Sequence, residues 1–304
     1  MNRRTLIKTL GLSTAAFLLP DRLFTMEDYK MLLRPIPSTG EMLPVIGLGT
    51  WIQFDVSNSE NELQPLRDVL TMMIENGGKV IDSSPMYGRA EEVIGTLTSS
   101  MQNKNEFFYA TKVWTSGEQQ GIEQMENSMH KMKRKTMDLI QVHNLVDWKT
   151  HLKTLRMWKD EGRVRYIGIT HYTASAHQQL EDIMKSEKPD FVQFNYSMRI
   201  RNAERTLLDT AKEKGAAVLI NEPYEKGSLF TLVKGKSLPE WAKDFNINSW
   251  GQFFLKYIIS HPAVTCVIPG TSNPRHVVDN MNTGYGPMPD ETARKKMISY
   301  LESL

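Results

Sequence analysis

A single cysteine, Cys266, occurs in 304 residues. That scarcity excludes an intramolecular disulfide and a multi-cysteine zinc site, and it leaves the redox compartment open. Charge of one sign is scarce too. Lys plus Arg number 37 and Asp plus Glu 35, a formal net charge of +2. The excess is too small for a general nucleic-acid binder, so no nucleic-acid partner is expected. No apolar run is long enough to cross a bilayer as a stable helix, so no stable membrane anchor is expected. No His, Cys, Asp or Glu residues recur at metal-ligand spacing, and no metal is expected. No low-complexity linker or second domain is visible. What is present, 40% hydrophobic and 24% charged residues, is the composition of a soluble globular chain, not a disordered one.

The N-terminus reads MNRRTLIKTLGLSTAAFLLP. Arg3 and Arg4 precede a modest apolar run at 10–19, which resembles a twin-arginine export signal. The alternative is a basic amphipathic terminus, and no obvious small-x-small cleavage site precedes Asp21. The first reading predicts the export machinery as a partner and a periplasmic location. The second predicts a cytoplasmic one. Residues 1–28 are set apart as signal and flexible leader, and 29–304 are read as one domain.

Beyond the leader, apolar runs rich in β-branched and aromatic residues alternate with helical stretches. The runs are IGLGTW from Ile46, KVIDSS from Lys79, FFYATKV from Phe107 and DLIQVH from Asp138. They continue with RYIGIT from Arg165, FVQFNYS from Phe191, AVLINE from Ala217 and VTCVIPG from Val264. Between them lie apolar residues at helical spacing, as in LQPLRDVLTMMIENG from Leu63, IEQMENSMHKMKRK from Ile122 and SWGQFFLKYIISH from Ser249. Strands separated by helices pair in parallel through right-handed crossovers. Eight such strands predict a closed (β/α)8 TIM barrel, with an open doubly wound sheet as the competitor. A hairpin around Thr39 and Gly40 is expected to cap the barrel bottom. An insertion at 226–248 precedes the helix that follows Ser249. The basic run at 131–135 reads as a charge cluster at a helix C-terminus. His130, His151, His177 and His261 read as solvated helix residues.

A barrel of this kind carries its chemistry at the C-terminal ends of its strands. Those ends hold Asp82, then Tyr87 with Gly88, then Lys112, then His143. A phenol is a sluggish proton donor at neutral pH. A nearby ammonium is expected to lower its pKa, and a carboxylate would hold that ammonium in place. An imidazole on the same rim could orient a substrate oxygen. The set suits protonation of a developing alkoxide, as carbonyl reduction requires, with hydride supplied by a cofactor. Each residue has another reading by itself: a structural ion pair for Asp82 with Lys112, loop packing for Tyr87, a core histidine for His143. The four together favour the active site.

With these residues in order, the sequence resembles an aldo-keto reductase. Seven segments carry the resemblance. They are GLGTW from Gly47, the stretch from Asp82 to Tyr87 and Gly88 with four residues between the acid and the phenol, ATKVW from Ala110, LIQVH from Leu139, IGITHY from Ile167, FVQFNYS from Phe191 and VIPGTSNPRHVVDN from Val267. The resemblance implies Tyr87 as general acid, Asp82 and Lys112 as its tuning pair, and His143 as the carbonyl orienter. It implies a small-molecule carbonyl substrate. Trp51 and Trp114 then wall the substrate pocket, although simple packing would also explain them.

The resemblance also implies a nicotinamide cofactor, NADP(H) in preference to NAD(H), held by Thr50, Trp51, Thr170, His171, Gln193, Asn221, Gly270, Thr271, Arg275, Asp279 and Asn280. Here the sequence departs from the family pattern. Thr170 and His171 stand where similar reductases carry Ser-Asn. Asn221 and Glu222 stand where they carry a stacking aromatic residue and Ser. Arg275 with His276 replaces part of the usual site for the 2′-phosphate, and Asp279 with Asn280 matches the pair that contacts adenine. After the final helix, read from Met288, no extended C-terminal loop follows, which predicts an open pocket. Three functions are therefore weighed: an NAD(P)H-dependent carbonyl reductase, a non-catalytic or weakly catalytic cofactor-binding regulator on the same barrel, and a barrel hydrolase or isomerase without nicotinamide.

Overall fold

The computed structural model describes residues 30–304. The expected export signal lies outside the described residues. A short hairpin, β1 (Leu33–Pro35) and β2 (Met42–Pro44), opens the described chain. Eight parallel strands follow: β3 (Leu48–Gly49), β4 (Val80–Asp82), β5 (Phe108–Val113), β6 (Met137–His143), β7 (Val164–His171), β8 (Phe191–Asn195), β9 (Ala217–Asn221) and β10 (Cys266–Val267). They pair in sequence order, each with the next. Parallel bridges Ile46–Val267 and Gly49–Gly270 join the last strand to the first. The expected (β/α)8 barrel is thus present, and the open sheet is excluded.

Closure depends on glycine. A Cβ on Gly49 would stand 2.7 Å from the Ile268 carbonyl oxygen, closer than side-chain atoms tolerate. Gly49 also donates its N–H to the Pro269 carbonyl across the seam. The helices between strands follow the predicted periodicity with shifted starts. α1 (Glu60–Glu75) buries Leu63, Leu66, Val69, Leu70 and Met73, three and four residues apart, so one stripe faces the barrel. Asn76 and a left-handed Gly77 end it. α2 (Ala90–Ser99), α3 (Glu118–Lys131), α4 (Trp148–Asp160), α5 (His177–Glu187) and α6 (Leu207–Lys214) repeat the pattern. The insertion holds α7 (Ser228–Leu232) and a short 3-10 turn. Then come α8 (Trp250–Ile259), α9 (Pro274–Asn282) and α10 (Glu291–Glu302). No helix among the described residues is long and apolar enough to cross a membrane.

Strand parity sorts the side chains into two cores. Outward residues such as Tyr109, Ile140 and Val192 pack under the helices. Inward residues fill the barrel, among them Val80, Phe108, Leu139, Tyr166, Phe191, Leu219 and Cys266. Ile36 and Leu43 join this inner cluster, so the hairpin plugs the bottom of the barrel. Thr39 Oγ1 meets Tyr166 Oη at 2.8 Å there. The opposite end is left for polar groups.

The histidine expectation holds for the exposed His130 and needs correction for the other three. His151 is fully buried and its Nε2 lies 2.7 Å from the Thr115 carbonyl oxygen. His177 is buried too, with Nε2 3.0 Å from Asn195 Oδ1. His261 is partly buried. The His151 and His177 rings meet loop and strand oxygens under the helices, and His261 Nδ1 accepts from Ala263 N–H at 3.3 Å, which a polar residue on a helix does not reveal by itself.

Candidate active site

At the open end, one inward side chain from each of six consecutive strands forms a hydrogen-bonded belt. Asp82 on β4 is its centre. Its Oδ2 accepts from Lys112 Nζ on β5 at 2.5 Å. Its Oδ1 accepts from Gln141 Nε2 on β6 at 3.1 Å and from Gln193 Nε2 on β8 at 3.0 Å. Gln193 Oε1 in turn accepts from Thr170 Oγ1 on β7 and Asn221 Nδ2 on β9, both at 3.2 Å. A buried carboxylate needs such partners, because a desolvated charge without them is costly.

Lys112 is completely buried and also donates to the Ser83 carbonyl at 2.7 Å. Burial alone would lower its pKa. The Asp82 carboxylate and the Tyr87 phenol outweigh burial, and the lysine pKa is raised. Its ammonium lies 5.0 Å from the centre of the Tyr87 ring. Tyr87 sits on the turn after β4, where Gly88 has a φ of 58°. A Cβ at that glycine would strike the Asp55 carboxylate, which accepts from Arg89 N–H at 2.9 Å. The expected lowering of the phenol pKa is not what results. Burial raises it, Lys112 pulls it down, and burial prevails. Tyr87 is therefore a protonated phenol.

His143 ends β6 and meets Tyr87 edge to face, with ring centroids 5.9 Å apart. Burial first, and then the Lys112 charge, push its pKa down to about 2. It is a neutral imidazole at any ordinary pH. Ser84 Oγ lies 3.0 Å from its Nδ1.

These groups border a cavity of about 760 Å³. Asp82, Tyr87, His143, Thr50, Trp51, Trp114, Thr170, Gln193, Asn221 and Gly270 line it. Lys112 lies behind them. Thr50 has its hydroxyl committed to the Asp82 carbonyl at 3.0 Å and Ser83 Oγ at 3.1 Å. Trp51 and Trp114 are 46% and 42% exposed, so they are mouth walls and not core.

The remaining expected residues do not line this cavity. His171 turns to its own loop, where Nδ1 lies 3.1 Å from Thr173 Oγ1. Thr271 Oγ1 accepts from Asn273 N–H at 3.0 Å, and Arg275 is an exposed residue in the first turn of α9. Asp279 accepts from Ser249 Oγ at 2.6 Å and Gln252 Nε2 at 2.7 Å, tying α9 to the start of α8. Asn280 Oδ1 accepts from Tyr224 Oη at 2.7 Å.

Sequence reasoning missed one belt residue and several residues of the mouth. Gln141 in the belt has the same strand parity as His143, a signal that could have found it. Tyr172, Tyr224 and Lys226 line the mouth from the turns after β7 and β9, where no period applies, and Phe230 lines it from the short α7. Lys226 Nζ stands 5.6 Å from the rings of both Trp51 and Tyr172 and 3.4 Å from Glu222 Oε1. Among the described residues no group of three or more His, Cys, Asp or Glu is placed to hold a metal ion.

On the nicotinamide side the residues fit the group that the resemblance implies. Asn221 Oδ1 is buried without a partner, an acceptor that a carboxamide N–H would satisfy. Gly49 and Gly270 meet at the barrel seam with no side chain between them and the cavity.

Comparison with known proteins points the same way. A model of the "Aldo/keto reductase family" matches residues 45–295. Methylglyoxal reductase YeaE of Escherichia coli (strain K12) is 28% identical over 247 residues, 78% of this chain and 84% of that protein. The 9,11-endoperoxide prostaglandin H2 reductase of Trypanosoma cruzi (strain CL Brener) is 25% identical over 261 residues, 83% and 86% of the two chains. An aldo-keto reductase from Klebsiella pneumoniae solved with NADPH superposes with a TM-score of 0.74 at 21% identity, over 89% of this chain and 95% of that one. That last likeness is one of fold.

Proposed function

The chain belongs to the aldo/keto reductase family, and from that premise we propose that it reduces aldehyde or ketone carbonyls to alcohols with a nicotinamide cofactor, NADP(H) in preference to NAD(H). One observation carries the reading: a fully buried ammonium, Lys112, fixed by Asp82 at 2.5 Å and lying 5.0 Å from the centre of a protonated phenol ring, Tyr87, on a cavity shared with a neutral imidazole.

When bound, the reduced nicotinamide supplies hydride. The chain's residues do the rest. Thr170, Gln193 and Asn221 would hold the carboxamide end, and the first turn of α9 with Arg275 would face the phosphates. Tyr87 holds the proton that a developing alkoxide needs. Lys112 stabilises the phenolate left behind, and Asp82 keeps Lys112 charged. His143, neutral, orients the carbonyl oxygen without competing for the proton. The half-exposed rings of Trp51 and Trp114 flank the entering carbonyl compound. The named relatives include a methylglyoxal reductase and a prostaglandin endoperoxide reductase, so a small dicarbonyl and an organic endoperoxide both belong in the substrate panel.

The test is oxidation of NADPH and of NADH against aldehydes, ketones and quinones, methylglyoxal included, for wild type and Tyr87→Phe. Loss of the general acid is expected to lower kcat about 100-fold to 10,000-fold with cofactor binding retained. Cofactor binding without turnover in the wild type would overturn the reductase reading in favour of a cofactor-binding regulator.

We also propose that the Arg3-Arg4 segment directs export to the periplasm. The paired arginines and the modest apolar run support it. Fractionation of cells that produce wild type or Arg3→Lys/Arg4→Lys tests it, and a cytoplasmic wild type would overturn it.

A further inference from the structure

We propose that Ser84 is a positioning residue that fixes His143 in the tautomer carrying its proton on Nε2. The inference rests on the reductase reading for its consequence, but not for its geometry. Ser84 is fully buried in the turn between β4 and Tyr87. Its Oγ lies 3.0 Å from His143 Nδ1 and also accepts from Met86 N–H at 3.4 Å. A hydroxyl has one proton to give. Among the described residues, His143 Nδ1 is the acceptor within its reach.

A neutral imidazole carries one N–H, and the bond made by one ring nitrogen decides where that proton sits. With Ser84 donating to Nδ1, the proton must be on Nε2. No described residue bonds Nε2, and the ring lines the cavity beside Tyr87. A carbonyl oxygen presents only lone pairs. The Nε2–H tautomer donates to it, whereas the other tautomer sets lone pair against lone pair. Burial and the Lys112 charge remove the third option, a doubly protonated ring. Ser84 thus chooses between a productive and a repulsive imidazole without touching the substrate.

Histidine-labelled full-length protein makes the tautomer visible in long-range 1H–15N spectra, with His143→Gln identifying the signal. The wild type is expected to show an unprotonated Nδ1 and a protonated Nε2. Ser84→Ala is expected to mix the tautomers and lower kcat about tenfold, the loss of one hydrogen bond's selectivity, with cofactor affinity unchanged. Ser84→Thr, which keeps the hydroxyl, is expected to restore both. A protonated Nδ1 in the wild type would overturn the proposal. So would Ser84→Ala with the wild-type tautomer and kcat. A wild type that turns over no carbonyl compound would sink the reductase reading, while its spectrum would still decide the role of Ser84.

Discussion

On the rim of β4, β5 and β6, Asp82, Lys112 and His143 project from strands buried on both faces, and each has its partners within the barrel. Beyond β9 and β10 the construction differs. Glu222, Glu225 and Lys226 follow β9 with left-handed backbone, at φ of 49°, 50° and 55°. Arg275 is exposed, and Asp279 and Asn280 are bonded to Ser249, Gln252 and Tyr224. The proton-handling groups are therefore set by strand register, which cannot slip by one residue without turning a side chain out of the barrel. The residues expected on the phosphate and adenine side, Arg275, Asp279 and Asn280, sit on α9 outside that register, whereas Thr170, Gln193 and Asn221 share it on β7, β8 and β9. The departures read in the sequence fall in both settings, Thr170, His171 and Asn221 at strand ends and Glu222 in the loop after β9.

The largest effect is expected from Lys112→Met. It leaves the Asp82 carboxylate buried with two amides and no cation. Breaking such a pair costs about 3–5 kcal/mol of stability, and with the ammonium gone kcat should fall about 1,000-fold. Adding Asp82→Asn removes the stranded charge. The double variant should regain melting temperature, read by thermal denaturation, and no activity. Recovery of both would mean that the pair is purely structural.

A smaller effect comes from pH. His143 has a folded-state pKa of about 2 against 6.5 for an ordinary histidine. Between those values the unfolded chain binds a proton that the fold refuses. Its contribution to stability is complete above pH 6.5 and is lost as pH falls toward 2. From pH 6.5 to 5 the loss is about 2 kcal/mol. Urea titrations at both pH values should show it for wild type and a flatter dependence for His143→Gln. Equal slopes would place the imidazole in a wetter setting than the belt implies.

The rim is legible in the sequence for the same reason that it is rigid. On a strand buried on both faces every apolar position is permitted, so a lone Asp, Lys or His at the strand end stands out, and two-residue alternation says which way it points. The turn from Asp82 to Gly88, ATKVW and LIQVH can all be placed from the sequence alone. Ser84 cannot, because its role depends on the distance to a strand two places along the sheet. Nor can Tyr172, Tyr224 or Lys226, whose contacts depend on loop backbone in unusual conformations. His151 reads as solvated and is buried, because a helix has a buried and an exposed side, and one polar residue does not say which side it occupies. The cap is legible because Thr39 and Gly40 sit between two short apolar runs.

The gentlest test falls on the loop side, at Asp279. The resemblance implies a contact with adenine, yet the carboxylate holds Ser249 Oγ and Gln252 Nε2 at the N-terminus of α8. Ser249 caps that helix by accepting from Gln252 N–H at 3.0 Å. Asp279→Ala would leave the cap hydroxyl unsupported, and disturbing an N-cap costs about 1 kcal/mol. If the residue acts first as a tie between α8 and α9, melting temperature falls while the Kd for NADPH, read by fluorescence quenching, changes less than about threefold. If it acts first on the cofactor, the order reverses: Kd rises and the melting curve stays. The two readings differ because the carboxylate is held in place by one donor on each oxygen, Ser249 at the cap of α8 and Gln252 in its first turn, and the acceptor sites left over must be reached without breaking that tie.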